Sequence, residues 1–288
     1  MATIRNPIEW TMDQFRLAGM AVESAGRAVG TTEAGASSTP LPVRRLAPGE
    51  LRHVLAKGVE DFAACRTDVI FLCVVYPVVG LLLAELAFSG NMLHLLFPLA
   101  SGFALVGPFA AVGLYEISRR RDRKATAAWP DALSVVRSPA FGAITVLGLL
   151  LVAIFLAWLG TAVAIYMLTL GPNPPASLAT FAADVALTPA GWALIALGVG
   201  AGFLYAVLVL AIGTVSFPLL LDRDVTLGAA IVTSVRAMTT NPRTMALWGL
   251  IVAGGLVLGS IPLLLGLIFV MPVLGHATWH LYRALVPC

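Results

Sequence analysis

His276 and His280 are the first residues of this 288-residue chain whose type and spacing suggest chemistry. Residues four apart share one face of a helix, and two imidazoles on one face have the spacing of metal ligands. A zinc site needs three or four ligands, so a third would have to come from His53, Cys65 or Asp222. No CxxC or HExxH string strengthens the pattern. Two histidines on one turn also cannot clamp a haem from opposite sides. The plainer reading of GHATWHLYR is an interfacial belt, with Trp279, Tyr282 and Arg283 at the level of lipid headgroups. His94 has no basic or thiol neighbour and reads as an interfacial residue on the periplasmic side.

The carboxylates give less. Glu85 lies about 24 Å along the first apolar stretch at 1.5 Å per residue, close enough to the far interface to reach it by extending its side chain. Glu116 precedes Arg119 and Arg120 by three and four positions, a favourable helical ion-pair spacing. In Asp222-Arg223-Asp224 the acids pair with the arginine or cap the next helix. No stretch carries an acid near its middle, where an ion-coupled transporter usually keeps one. A phosphate-cradling glycine loop, a GxSxG elbow and a magnesium-binding aspartate cluster are all missing. The glycines fall instead at helix-packing spacings, Gly198/Gly202 and Gly255/Gly259. The basic run SRRRDRK at 118–124 would attract anionic lipid at about 1 kcal/mol per charge. It is equally an ordinary basic loop, and that reading is favoured. Nucleic-acid binding would need a larger basic surface with exposed aromatics.

The elements that must position these residues are membrane helices. Hydrophobic residues make up 59% of the chain and charged ones 11%, less than half of the usual quarter. That excludes a soluble enzyme, a disordered chain and a disulfide-stapled secreted domain. Windows of about 20 apolar residues, the length that crosses a bilayer core, run over 69–88, 92–116, 141–168 and 191–221. The block 244–286 is long enough for two, with a hairpin at Ser260-Ile261-Pro262. The first window lies too far from Met1 for a signal peptide.

Charge tests the count of six. Eight Lys and Arg precede the first window, six lie between the second and third, three follow the fourth and Arg283 ends the sixth. The three opposite connections hold none. By the positive-inside rule both termini are cytoplasmic. Cys65 and Cys288 fall on that side and Cys73 early in the first span, so no disulfide is expected.

Three units follow, each an amphipathic helix leading into a transmembrane hairpin. In the first, Leu51, Val54, Leu55 and Phe62 form the apolar face, with Arg52, Lys57, Glu60 and Asp61 opposite. In the second, Trp129, Leu133 and Val136 follow Pro130 at i, i+4, i+7. In the third, Thr226 is the N-cap and Leu227, Ile231, Val235 and Met238 the stripe. Each hairpin's second span carries a proline near its cytoplasmic end: Pro108, Pro218 and Pro272. Such helices lie in the membrane interface or pack on the bundle as caps. Residues 1–42 form a separate segment: a short surface helix over 8–29, with Trp10, Phe15 and Met20 on its apolar face, then a flexible small-residue linker to Pro42. Residues 43–288 form the six-span domain. The fold class is all-α integral membrane, six transmembrane helices in three hairpins, each preceded by a cytoplasm-side amphipathic helix.

The strings YPVVGL at 76–81, GFALVGPFAAVGLYEISRR at 102–120, FPLLLDRDV at 217–225 and LGLIFVMPVLGHATWHLYR at 265–283 together resemble a bacterial family of integral membrane proteins catalogued as "domain of unknown function 2189". The resemblance covers roughly residues 43–286. It implies a polytopic inner-membrane protein of Gram-negative type, and no activity, substrate or cofactor. The expected function is a non-catalytic scaffold, or an accessory subunit of a membrane complex. Its partners would be membrane lipids, with other membrane proteins or further copies of the chain. The alternative is a carrier or channel for a lipid or small apolar solute. A third reading is a metal-handling protein using His276 and His280, a metal ion being the one cofactor considered.

Overall fold

A computed structural model of the protein describes residues 36–65, 74–89, 92–123 and 128–287. The expectations placed on 8–29, on the start of the first span, on Cys73, Lys124 and Cys288, and on the turn at 89–91 fall wholly or partly outside those residues.

The regular structure of the described residues is helical, apart from one isolated bridge between Ser37 and Val225. In chain order the helices are α1 (Leu51–Ala64), α2 (Val75–Ser89), α3 (Leu96–Ala110), α4 (Val112–Asp122), α5 (Trp129–Ala132), α6 (Phe141–Thr169), α7 (Leu178–Leu187), α8 (Pro189–Gly213), α9 (Ser216–Asp222), α10 (Leu227–Thr240), α11 (Pro242–Ser260) and α12 (Leu267–Leu285). Local chemistry sets several of the starts. Proline takes the first turn of α5, α8 and α11, where its missing N–H costs nothing. Ser177, Thr188 and Thr226 cap α7, α8 and α10 by accepting from the backbone N–H three residues on.

Four helical stretches are long and apolar enough to cross a bilayer: Leu93–Asp122, Phe141–Thr169, Pro189–Asp222 and Pro242–Ser260. The expected count was six. The described part of the first window is the 15-residue α2, shorter than a full crossing. α12 is 19 residues long and almost continuously buried from Gly275 to Tyr282, which sets it apart from a lipid-facing span. The expected break after Ser260 is present. It is a turn in which Leu263 and Leu264 both take left-handed backbone, φ 51° and 67°, a conformation costly for residues with a Cβ.

The surface elements differ from the sequence expectation in instructive ways. On α1 the buried positions are Leu51, Val54, Gly58 and Asp61. Asp61, assigned to the polar side by its type, therefore lies on the packing face. In the second unit α5 lasts four residues and passes into a 3-10 turn, Leu133–Arg137. With three residues per turn, Ala132 and Val135 point inward, while Leu133 and Val136 of the expected stripe are exposed. α10 buries a small and hydroxylic face, Ala229, Ala230, Thr233, Ser234 and Ala237. Its expected stripe is split: Leu227, Ile231 and Met238 pack partly against the core and Val235 is exposed.

Ahead of α1 an extended strap crosses the third unit. Ser37 N–H donates to the Asp224 carbonyl at 3.0 Å and its own carbonyl accepts from Thr226 N–H at 3.0 Å. Leu41 N–H donates to Thr233 Oγ1 at 3.1 Å and Leu46 N–H to Asn241 Oδ1 at 2.7 Å. Asn241 Nδ2 and Thr244 Oγ1 return hydrogen bonds to the carbonyls of Arg44 and Leu46. The last residues of the stretch read as a flexible linker are thus tied to α10 and the residues just before it, and the chain beyond Pro42 to the start of α11.

Candidate functional site, a buried polar cluster at the basic end

α1 packs along α12, and α12 along α4. Glycine makes both approaches possible. A Cβ on Gly58 would stand 2.7 Å from that of Ala277, and one on Gly275 would stand 2.5 Å from the side chain of Leu114. These contacts close Asp61, Ser118, Arg121, His276 and His280 around one another.

Asp61 is the centre. Its Oδ1 accepts from Arg121 Nε at 2.8 Å, and its Oδ2 from Ser118 Oγ at 2.5 Å and His280 Nε2 at 2.9 Å. Burial alone would raise this carboxyl. The hydrogen bonds from His280, Ser118 and Arg121 outweigh it and hold Asp61 at about 2, against an ordinary 3.8. An ionised Asp61 takes the one hydroxyl proton of Ser118. Ser118 Oγ must then accept from His276 Nδ1, 2.8 Å away, which fixes the proton of that ring on Nδ1. His276 Nε2 is left buried without a hydrogen-bond partner. Ser118 is fully buried and its proton points to a carboxylate, so it is no nucleophile of a serine–histidine pair.

Two further carboxylates organise the same end. Asp222, on α9, accepts from Arg123 at 3.0 Å, from Tyr282 Oη at 2.8 Å and from Arg283 at 3.3 Å. Glu116, on α4, binds Arg119 Nε at 2.7 Å and Arg120 Nε at 2.9 Å. Arg120 continues to Asp131 and Ser134. Trp279 is buried and donates its Nε1–H to Asp122 at 2.8 Å. Trp279 and Tyr282 are therefore packed inside this end rather than open to a headgroup layer.

Of the residues singled out in the sequence, the two histidines face one cluster as their spacing suggests, His280 bonding Asp61 directly and His276 reaching it through Ser118. His53 is exposed on the outer face of α1, Cys65 is buried beside Arg121, and Asp222 belongs to the neighbouring cluster. Among the described residues no three His, Cys, Asp or Glu side chains are grouped to hold a metal ion. The Glu116 pairing with Arg119 and Arg120 is present as the spacing predicts. Glu85 and Asp224 are exposed. His94 stacks on Tyr166 with ring centroids 4.4 Å apart. Of the two GxxxG pairs, Gly255 and Gly259 lie against α12, whereas Gly202 meets Trp158 and Gly198 faces open space. Asp61 and Ser118 were missed. The signal for Asp61 was its place at i+10 from Leu51, in line with Val54 and Gly58.

Residues 96–222 match the family described as predicted integral membrane protein, DUF2189. The resemblance is thus borne out over a narrower stretch than 43–286. No curated protein and no solved structure matches the chain.

Proposed function

From a likeness to integral membrane proteins that spans three of the four long apolar helices, we propose that this chain is a six-span protein of a bacterial inner membrane, serving as a non-catalytic scaffold or accessory subunit of a membrane complex. α2 and α12 supply the fifth and sixth crossings. The basic end is cytoplasmic, because every Lys and Arg falls on that side of the six-span arrangement. α1 and α10 lie along that surface.

One observation carries the non-catalytic reading. Asp61, Glu116 and Asp222 are each engaged on both oxygens by donors from their own chain. A carboxylate with its lone pairs used in this way holds segments together. It has little capacity left to bind a substrate or accept its proton. These groups bind α1, α4, α9 and α12 into one rigid end, the property a docking platform needs.

Extraction in mild detergent tests this reading. The expected result is a companion chain retained at fixed stoichiometry. Recovery of the protein alone, in several mild detergents and after crosslinking in the membrane, overturns it. Labelling of single cysteines placed at positions 45 and 172 checks the orientation: only the first should be shielded from a reagent applied outside the inner membrane.

A further inference from the structure

A cavity of about 380 Å³ opens at the basic end, between the last turn of α4, the segment leading into α6, and α9 with the residues after it. Five arginines line it: Arg119, Arg120, Arg123, Arg137 and Arg223. Three carboxylates also line it, Glu116, Asp222 and Asp224, which leaves an excess of two positive charges. Behind this lining Asp131 offsets one charge through Arg120, and Arg283 restores it through Asp222.

The donors of the arginines are unevenly used. Arg120 is consumed by Glu116, Asp131 and Ser134. Arg223 gives its Nη2 to the carbonyls of Val286 and Pro287. Glu116 takes only the Nε of Arg119, leaving both terminal nitrogens, and Asp222 takes only one terminal nitrogen of Arg123. The side chain of Arg137 makes no hydrogen bond or ion pair among the described residues. Glu116 and Asp222 thus brace arginines whose remaining N–H groups line a hollow with net positive charge. Ser138, Pro139 and Ala140 complete the wall where the 29-residue α6 begins, and the positive end of its dipole adds to the same field.

We propose that this cavity binds an anionic phosphate ester. Planar guanidinium groups match phosphate oxygens two at a time, and the excess of two charges covers the single charge of a phosphodiester and balances a phosphate monoester. The volume lies in the range of small-ligand sites. Its place, where three of the long apolar helices end together, gives it two possible sources of one chemistry: the headgroup of an anionic phospholipid, or a free phosphorylated compound. The inference does not depend on the scaffold reading, since a phosphate site fits a platform or a carrier alike.

The full chain purified in detergent is titrated with short-chain phosphatidylglycerol, short-chain phosphatidylcholine and inorganic phosphate, following thermal unfolding and lipid retention by native mass spectrometry. Binding of phosphatidylglycerol alone assigns a headgroup site. Binding of inorganic phosphate as well assigns a site for the phosphate group itself. In either case Arg137→Gln should weaken binding roughly fivefold, equivalent to about 1 kcal/mol for one basic residue. Its melting temperature without ligand should not change, because the Arg137 side chain supports no bond among the described residues. Arg45→Gln, exposed and outside the cavity, should bind as the unaltered protein does. The proposal is overturned if neither anionic probe binds, if phosphatidylcholine binds as well as phosphatidylglycerol, if Arg137→Gln has no effect, or if Arg45→Gln weakens binding equally.

Discussion

α1 and α10 are both 14 residues long, both precede a long apolar segment, and both were expected to show an apolar stripe. They are held by different physics. α1 is fastened to α12 and α4 by one buried carboxylate with three donors, His280 from α12 and Ser118 and the Arg121 guanidinium from α4. α10 is held by close packing of alanines and by single hydroxyl bonds: Thr233 accepts from the strap, and Ser234 Oγ accepts from Val215 N–H at 3.2 Å. A charged fastening is worth much only while every partner is present. A packed one loses a little at a time.

The sharpest way to break this contrast is Asp61→Asn. The amide leaves Arg121 without its counter-charge and meets the Ser118 and His280 donors with half the acceptors, so a loss of about 3–5 kcal/mol is expected. Thermal unfolding would show it, with proteolysis first appearing in α1 while α10 stays protected. An unfolding temperature within a degree or two of the unaltered protein would show that Asp61 is not the fastening.

Acid tests the same group without mutation. Asp61 is depressed in the folded state, so its contribution is complete above the ordinary value of 3.8 and is lost as pH falls toward about 2. The shift corresponds to about 2 kcal/mol. Hydrogen exchange in α1 should rise through that window, and the rise should be absent in Asp61→Asn.

Gly58→Ala probes packing on the charged helix. The added methyl would meet Ala277 and the Val273 carbonyl at 2.7–2.8 Å, with neither free to swing aside, for a cost of about 1–3 kcal/mol. The smallest effect belongs to α10. Ser234→Ala strips one hydrogen bond from Val215 N–H and should cost about 1 kcal/mol, with no dependence on pH between 2 and 4. A larger loss than Gly58→Ala would reverse the ranking of the two helices.

The contrast also marks how far sequence reasoning reaches. Four of the apolar windows, the turn after Ser260, the Glu116–Arg119–Arg120 clamp and the shared face of His276 and His280 follow from spacing alone. Asp61 was lost because residue type was allowed to overrule spacing: at i, i+3, i+7 and i+10 it sits on the stripe of Leu51, Val54 and Gly58. Leu133 and Val136 were misplaced because a stripe read at 3.6 residues per turn fails where the chain tightens to three. Three of the cavity's arginines, Arg119, Arg120 and Arg123, lie in the basic run that reads as an ordinary loop. The cavity itself is not legible, because its other wall comes from a segment about a hundred positions on, which only the fold brings together.

The bond between Asp61 and His280 joins residues 219 positions apart, and that separation orders events during synthesis. α1 is made well before α12, so the pairing cannot close until the residues between them have been made. Arg121 can reach Asp61 earlier, but the helix against which α1 packs does not yet exist. Until α12 is made, α1 must keep its apolar residues out of water by some other means. Closure of the histidine bond therefore marks the arrival of α12 beside α1.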